Sequence, residues 1–303
     1  MQLQRSMNRV SEAISPSGIY SHAMVKAQWS EVGPGVMVAR HTDLDLNCGL
    51  VIGQRRVLVI DTATTTAQGE ELADAVRHVT PLEQVVVNTH AHYDHCFGNA
   101  AFRDSQIYAH VDAAEGLRDT AEHQRQAAMS HLTDAGRLDD VELLRSTEVV
   151  LPFYLVETDV ALDLGGRTAH LLFGGRAHTN HDLAVAVPDA GVVFWGDLVE
   201  QGADPAMEDC YPLEWAVTLR ELAKRDQVKE AAVAVPGHGN VVDPDFVAHQ
   251  SEQLRHVAVS LLDALNNGVR DVDALMASCR GLGLQDPTLR AAAVRALETK
   301  ASS

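Results

Sequence analysis

One six-residue segment, His-Ala-His-Tyr-Asp-His at positions 90–95, constrains this chain more than any other feature. Two residues separate it from the apolar run 85–87, so it marks the point where a buried strand ends in a loop. Imidazole and carboxylate groups are good ligands for a divalent ion such as zinc. Residues two apart in an extended loop point to the same side, so His90 and His92 can hold one ion. Asp94 and His95 lie beyond the turn and are available for a second ion.

Three isolated residues further along the chain have the same setting. His178, Asp197 and His238 each follow an apolar, strand-like segment and lie in turn sequence that contains glycine. Glycine lets the backbone approach a ligand closely, and loops at strand ends often present functional groups. With the hexapeptide, these residues make seven candidate ligands, enough for two ions with an open position on each.

These motifs, in this order, resemble those of the metallo-β-lactamase-fold hydrolases, in particular the glyoxalase II-like and lactonase-like branch with a bridging aspartate. Segments 57–62, 195–197 and 236–239 look like the same family, and the resemblance covers roughly residues 30–250. It implies an α/β fold, a four-layered αββα sandwich of two mixed β-sheets flanked by helices. It also implies a catalytic domain over residues 1–243, with a helical insertion at about 112–146 and a C-terminal helical extension over 244–303.

The resemblance implies two divalent metal ions as cofactors, with zinc expected and iron or manganese as alternatives. Each ion would have three ligands of its own and share a seventh residue: His90, His92 and His178 for the first ion, Asp94, His95 and His238 for the second, and Asp197 for both. Asp61 ends a strand and is expected to accept a hydrogen bond from a ligand histidine, although simple solvation of a strand end explains it nearly as well.

The reaction that this resemblance implies is metal-assisted hydrolysis. A hydroxide that bridges the ions would attack an ester-, thioester-, lactone- or amide-type carbonyl of a small molecule. Asp94 is expected to be catalytic as well, because it can orient the hydroxide and relay its proton. A mononuclear iron persulfide dioxygenase of the same fold is the alternative, and a β-lactamase or a phosphodiesterase is less favoured. A binding protein without catalysis would be expected to have lost ligands.

Aromatic side chains near the ligands are candidates for contact with the substrate. Tyr93 lies inside the hexapeptide, and Tyr211 and Trp215 lie in the segment that follows the bridging position. Tyr211 is also a candidate donor to an oxyanion, and packing against the next helix is the alternative for these aromatics. His181 is expected to be an ordinary histidine, although it lies close enough to His178 to be the alternative ligand in that turn.

Composition favours a soluble cytoplasmic enzyme with a small-molecule substrate. The chain is 46% hydrophobic without an apolar segment long enough to cross a bilayer, and residues 1–7 lack the apolar stretch of a secretion signal. The four cysteines are widely spaced, which fits reduced thiols. A net charge of −18 argues against a nucleic-acid partner, whereas bound cations would still allow a small anion to approach the site.

The pattern along the chain predicts strands followed by helices. Strands are expected at 36–39, 49–52, 57–60, 84–87, 160–164, 167–173, 183–187 and 192–195, and helices at 67–78 and 213–224. The insertion at 112–146 is expected to be a lid, a pocket wall or an outer helical layer. From residue 244 onward the sequence predicts two or three amphipathic helices, which pack on the core or form a homodimer surface.

Overall fold

Two mixed β-sheets form the centre of the protein in a computed structural model that describes residues 28–41 and 44–301. The prediction for residues 1–7, and the start of the predicted catalytic domain, lie outside the described residues. The first sheet has seven strands in chain order: β1 (Trp29–Gly33), β2 (Val36–His41), β3 (Leu46–Ile52), β4 (Arg56–Ile60), β5 (Glu83–Val87), β6 (Gln106–His110) and β7 (Tyr154–Val156). Strands β1 to β4 pair antiparallel, and β4 to β7 pair parallel.

The second sheet has five strands: β8 (Val160–Asp163), β9 (Thr168–Phe173), β10 (Leu183–Val187), β11 (Val192–Gly196) and β12 (Val233–Pro236). Their spatial order is β12-β11-β10-β9-β8, and only the β11–β12 pair is parallel. The helices are α1 (Thr66–Val79), α2 (Tyr93–Cys96), α3 (Val111–Asp134), α4 (Leu138–Ser146), α5 (Trp215–Ala223), α6 (Pro244–Asn266), α7 (Val272–Ser278) and α8 (Asp286–Ala301).

Strand β10 shows why the sheets stack between helices. All five of its residues are buried, and side chains alternate between the two faces of a strand. Leu183, Val185 and Val187 face the core between the sheets, whereas Ala184 and Ala186 face the helical layer that contains α5 and α6. A continuous apolar run is therefore what a central strand of this sandwich requires. The predicted αββα architecture is confirmed.

The predicted insertion consists of the two helices α3 and α4. Their apolar residues form a small core with the segment around the hexapeptide. Leu117, Leu144 and Phe97 belong to this one buried cluster. Gln124 of α3 hydrogen-bonds to the backbone of the hexapeptide: its side chain donates to Ala91 O (3.0 Å) and accepts from Tyr93 N (2.8 Å). The insertion therefore packs against the predicted site and is more than an outer layer.

The C-terminal extension has three helices that share a hydrophobic core with the second sheet. Leu254, Val257, Leu261 and Leu265 of α6 are buried against it, as the amphipathic pattern predicts, while Leu262 is only partly buried. Helices α7 and α8 complete this core. The tail thus packs on the sandwich. Across residues 28–41 and 44–301, no helix combines the length and the apolar character that a membrane crossing requires.

Candidate metal centre

The seven predicted ligands converge at one end of the sandwich. His90 and His92 follow β5, and the one-turn helix α2 turns Asp94 and His95 toward the same space. The other three lie in loops at the ends of second-sheet strands: His178 between β9 and β10, Asp197 directly after β11, and His238 two residues after the end of β12. Each loop begins where a paired strand stops, so the two sheets determine where the side chains meet.

The first group contains His90, His92, His178 and Asp197. Each residue offers one ligand atom, and these atoms lie within 4.8 Å of one another. The Nδ1 atom of His92 is 3.0 Å from Nε2 of His90 and 3.0 Å from Nε2 of His178. Asp197 Oδ2 lies 3.6 Å from the Nε2 atoms of both His90 and His178. Three imidazole nitrogens and a carboxylate oxygen therefore face one point.

The second group contains Asp94, His95 and His238, also with ligand atoms within 4.8 Å of one another. His238 Nε2 is 3.3 Å from both His95 Nε2 and Asp94 Oδ2. Asp197 contacts this group as well, with Oδ1 3.2 Å from His95 Nε2 and Oδ2 3.5 Å from His238 Nε2. The position of Asp197 between the groups is the one that a shared ligand needs.

The ring nitrogen that faces away from the centre contacts an oxygen acceptor in all five histidines. A histidine that donates through one nitrogen keeps the lone pair of the other for a metal. The acceptors are Thr89 Oγ1 for His90 (3.1 Å), Asp209 Oδ2 for His92 (2.9 Å), Asp61 Oδ2 for His95 (2.8 Å), Ala206 O for His178 (3.3 Å) and Leu44 O for His238 (2.7 Å).

Inward-facing lone pairs 3.0 Å apart repel one another unless a cation or a proton lies between them. Asp197 Oδ1 also needs a positively charged partner, because it is buried and has no hydrogen-bond partner among the described residues. The donor set of five imidazoles and two carboxylates matches what zinc and similar borderline ions bind. The residues present therefore fit a pair of divalent ions.

The pKa values of His92 and His238 also show that the site favours positive charge. Burial opposes protonation of His92, but the bonded Asp209 carboxylate outweighs it and raises the pKa of His92 to about 9. Likewise, Asp197 and Asp94 raise the pKa of His238 to about 12 against the effect of burial. At neutral pH these histidines take up protons when no ion is bound, so a metal ion must displace those protons.

Asp61 is the acceptor that orients His95. Its backbone lies in the left-handed region (φ 61°), which aspartate tolerates better than most residues, and the side chain is buried. Oδ1 accepts from Thr89 N (2.7 Å), and Oδ2 accepts from Thr89 Oγ1 (2.8 Å) and lies 2.8 Å from His95 Nδ1. The contact that was expected of Asp61 is present, whereas the alternative of a solvated strand end does not fit a side chain this buried.

A cavity of about 1250 Å³ opens beside the seven residues. His92, Asp94, Asp197 and His238 line it on one side. Helix α3 lines it on another, through Thr120, His123, Gln124, Ala127 and Ala128. The insertion is therefore a pocket wall, and the volume suits a small molecule.

The three aromatic candidates have different surroundings. Tyr93 lines the cavity, so contact with a substrate is open to it. Tyr211 does not line the cavity, and its ring lies under the guanidinium groups of Arg176 (4.9 Å) and Arg295 (5.6 Å). Trp215 as a substrate-facing residue is wrong: it is 0% exposed, and its indole donates to Leu198 O (3.2 Å). Packing at the start of α5 is its role.

His181 lies outside both groups. It is buried, and its Nε2 accepts a hydrogen bond from Ala91 N (3.2 Å), between the first two histidines of the hexapeptide. Burial lowers the pKa of His181 to about 3, so the ring is neutral at physiological pH. This histidine supports the backbone of the metal loop.

Two acidic residues of the site were missed from the sequence. Asp209 contacts His92 from an irregular loop, 117 positions away along the chain, and no motif marks it. Glu200 is buried beside the cavity and accepts from Ala206 N (2.8 Å); burial and the charge of Asp197 raise the pKa of Glu200 to about 8. In the sequence, the position of Glu200 three residues after Asp197 is the feature that could have identified it as part of the site.

Comparison with known proteins agrees with this geometry. The sequence profile of the metallo-beta-lactamase superfamily matches residues 41–238. A metallo-beta-lactamase type 2 from Bacillus sp. (strain 170) is 24% identical over 216 residues, which is 68% of this chain and 72% of that protein. A second enzyme of that name, from Bacillus cereus, is 24% identical over 49% of this chain and 56% of its own length.

Solved structures show the same fold. The mono-zinc form of the metallo-beta-lactamase FIM-1 from Pseudomonas aeruginosa has a TM-score of 0.61 at 18% identity and covers 78% of this chain and 97% of its own. A double mutant of the sec-alkyl sulfatase PisA1 has a TM-score of 0.70 at 17% identity over 91% of this chain and 50% of the sulfatase. Taken with the profile match, which spans most of the described sandwich, these findings show that the chain belongs to the metallo-beta-lactamase superfamily.

Proposed function

We propose that the protein is a dinuclear metal-dependent hydrolase that cleaves an ester-, thioester-, lactone- or amide-type carbonyl of a small molecule. The observation that carries the proposal is the position of Asp197 between two groups of metal-competent side chains beside an open cavity. Two divalent ions bound there would supply a water that ionises near neutral pH and positive charge for the carbonyl oxygen.

Asp94 is the proposed proton acceptor. It lines the cavity, and its Oδ2 lies 3.3 Å from His238 Nε2. Burial would raise its pKa, but the neighbouring His95 and His238 outweigh burial and lower the pKa of Asp94 to about 2. The carboxylate is therefore ionised at neutral pH in the metal-free protein, and bound divalent ions would keep it ionised, so that it could take a proton from the attacking water and pass it to the leaving group.

The charge of the cavity supports a neutral or cationic substrate. Its lining includes Asp45, Glu208 and Asp209, besides Glu200, whose raised pKa of about 8 keeps it mostly protonated at neutral pH. Neither lysine nor arginine occurs among the described lining residues. Two bound cations would attract an anionic group at the metals, so this charge disfavours negative groups only on the part of the substrate that lies away from the ions.

The test is a hydrolysis panel on protein loaded with zinc, manganese or iron. It contains thioester, lactone, phosphodiester and neutral ester reporters, and esters that carry a trimethylammonium or a carboxylate group. A β-lactam and a secondary alkyl sulfate belong in it because similar proteins carry the names metallo-beta-lactamase and sec-alkyl sulfatase. We expect two ions per chain and faster cleavage of neutral and cationic carbonyl esters. One iron per chain with oxygen consumption would favour the dioxygenase instead.

Two variants check the assignment. Asp197→Asn should lower metal occupancy and hydrolysis together, because the amide cannot hold two ions as a carboxylate does. Asp226→Asn is the matched control, since Asp226 is exposed and pairs only with Lys229 in the described structure. Full metal content and full activity in Asp197→Asn would refute the shared-ligand role.

The proposal includes a cytoplasmic enzyme whose partner is a small molecule, without a nucleic-acid or membrane partner. The apolar face of α6 is already packed against the second sheet, so it is not free to bind a second copy of the chain. We therefore propose that any homodimer uses other surfaces. Cell fractionation and light scattering measure these two properties.

A further inference from the structure

The irregular loop 201–214, between β11 and α5, supplies acceptors to two histidines of the first metal group. Asp209 Oδ2 lies 2.9 Å from His92 Nε2, and the carbonyl of Ala206 lies 3.3 Å from His178 Nδ1. Both contacts use the nitrogen that faces away from the centre. The position of this loop therefore determines how the inward nitrogens of His92 and His178 point.

The loop has few backbone contacts of its own. In the described structure, residues 202–210 make no hydrogen bond from backbone to backbone, whereas Gln201 N bonds to His238 O and Tyr211 N to Ala177 O at the two ends. Side chains must therefore hold the middle of the loop. Glu200 accepts from Ala206 N (2.8 Å), and further support comes from α8, the last helix of the C-terminal extension, and from Gln285 just before it.

Helix α8 contacts the loop at two places. Near the N-terminus of the helix, Asp204 Oδ2 accepts from Gln285 N (2.7 Å) and from Thr288 Oγ1 (3.0 Å). Further along, Arg295 donates through Nη2 to the carbonyl of Asp209 (3.1 Å) and through Nε to the carbonyl of Cys210 (3.0 Å).

The packing around Arg295 makes this second contact rigid. The Arg295 side chain is only 19% exposed and lies over the ring of Tyr211. Cys210 is fully buried in the same core as Ala292 and Ala296 of α8. The backbone of Asp209, whose carboxylate contacts a candidate ligand, is thus fastened directly to a helix outside the predicted catalytic region.

We propose that Arg295 is a positioning residue for the first metal group and that α8 is a structural part of the metal centre. This inference rests on the proposed metal binding. The guanidinium holds the loop at Asp209, which holds His92, and α8 also holds the start of the loop that carries the acceptor for His178. Loss of Arg295 should weaken the binding of the ion at the first group and leave the binding of the ion at Asp94, His95 and His238 unchanged.

The experiment compares zinc binding by the full chain as wild type, Arg295→Ala, Arg295→Lys and Arg290→Ala. Arg290 is the matched control because it lies on α8, is exposed, and pairs with Asp273. Competition with a chromophoric chelator should show that Arg295→Ala weakens one of two zinc ions by about 10- to 100-fold, the range for residues that orient ligands. Arg295→Lys should recover part of the loss, and Arg290→Ala should bind as wild type does.

A double-mutant cycle with Asp209→Ala separates positioning from general destabilisation. If Arg295 acts through Asp209, the double variant should bind zinc as weakly as Asp209→Ala alone. The inference is overturned if Arg295→Ala binds both ions as tightly as wild type, if both ions weaken equally, or if the two effects simply add. Absence of zinc binding in the wild type would instead refute the proposed function.

Discussion

Gly237 tests the geometry of the shared ligand most directly. A Cβ atom built at this position would lie 1.8 Å from Asp197 Oδ1, whereas real Cβ contacts essentially never fall below 3.0 Å. The backbone cannot retreat easily, because Gly237 N donates to the carbonyls of Gly196 (2.7 Å) and Val199 (3.1 Å). In Gly237→Ala the carboxylate must therefore move by about 1.2 Å, the difference between 3.0 and 1.8 Å.

A displacement of this size should be severe. Misplacing a reacting group by about 1 Å can cost about 100-fold in rate, so we expect that loss in kcat/KM and at least about tenfold weaker zinc binding. Zinc titration, kcat/KM and thermal melting measure the effects. Gly116→Ala in α3 is the control, because its Cβ would meet only His181 Cε1, at 3.7 Å. Wild-type zinc affinity and rate in folded Gly237→Ala would refute this account of the site.

Three further predictions follow from particular contacts. Trp215→Phe should lower the free energy of unfolding by about 1–3 kcal/mol, through loss of the indole hydrogen bond to Leu198 O and of packing, and leave KM unchanged; a changed KM would contradict a role in packing alone. His181→Ala should keep both ions by metal analysis, and loss of one ion would show that the contact of His181 with Ala91 N is needed for metal binding. In metal-free protein, His92 has a raised pKa of about 9, so its pairing with Asp209 stabilises the fold fully below the ordinary value of 6.5 and loses this effect as pH rises through 9. The melting temperature difference between wild type and Asp209→Asn should therefore shrink between pH 6 and 10, and a constant difference would contradict the pairing.

Strand prediction succeeded where apolar runs are long and central. The run 183–187 is β10 without any shift of bounds, because every residue of a strand between two packed layers must be apolar. Strands β1, β6 and β7 were missed. Gln106 and His110 stand at the two ends of β6 and leave an apolar run of only three residues between them. Strand β7 has three residues at the edge of its sheet, two of them exposed, and β1 contains the exposed polar pair Ser30 and Glu31. Short or polar strands are identified only by the strand they pair with.

The candidate ligands could be found from the sequence for a local reason. Four of the seven lie within six consecutive residues, Asp197 and His238 stand next to glycine, and His178 lies three residues after Gly175. The order of these residues after the hexapeptide marks the last three as ligands, since each alone could equally be a packed or solvated residue. Those features depend on neighbours along the chain. By contrast, the acceptors for the outer nitrogens lie far away in sequence, as the distance between His92 and Asp209 shows.

The sequence by itself therefore determined which side chains could bind metal and that two layers of buried strands present them. Tertiary structure alone decided that Trp215 faces the core, that α3 walls the cavity and that α8 braces the loop of Asp209. The physical reason is the range of the interactions. Ligand type and strand pattern are read over a few residues, whereas burial and orientation depend on packing between elements that the chain brings together only when it folds.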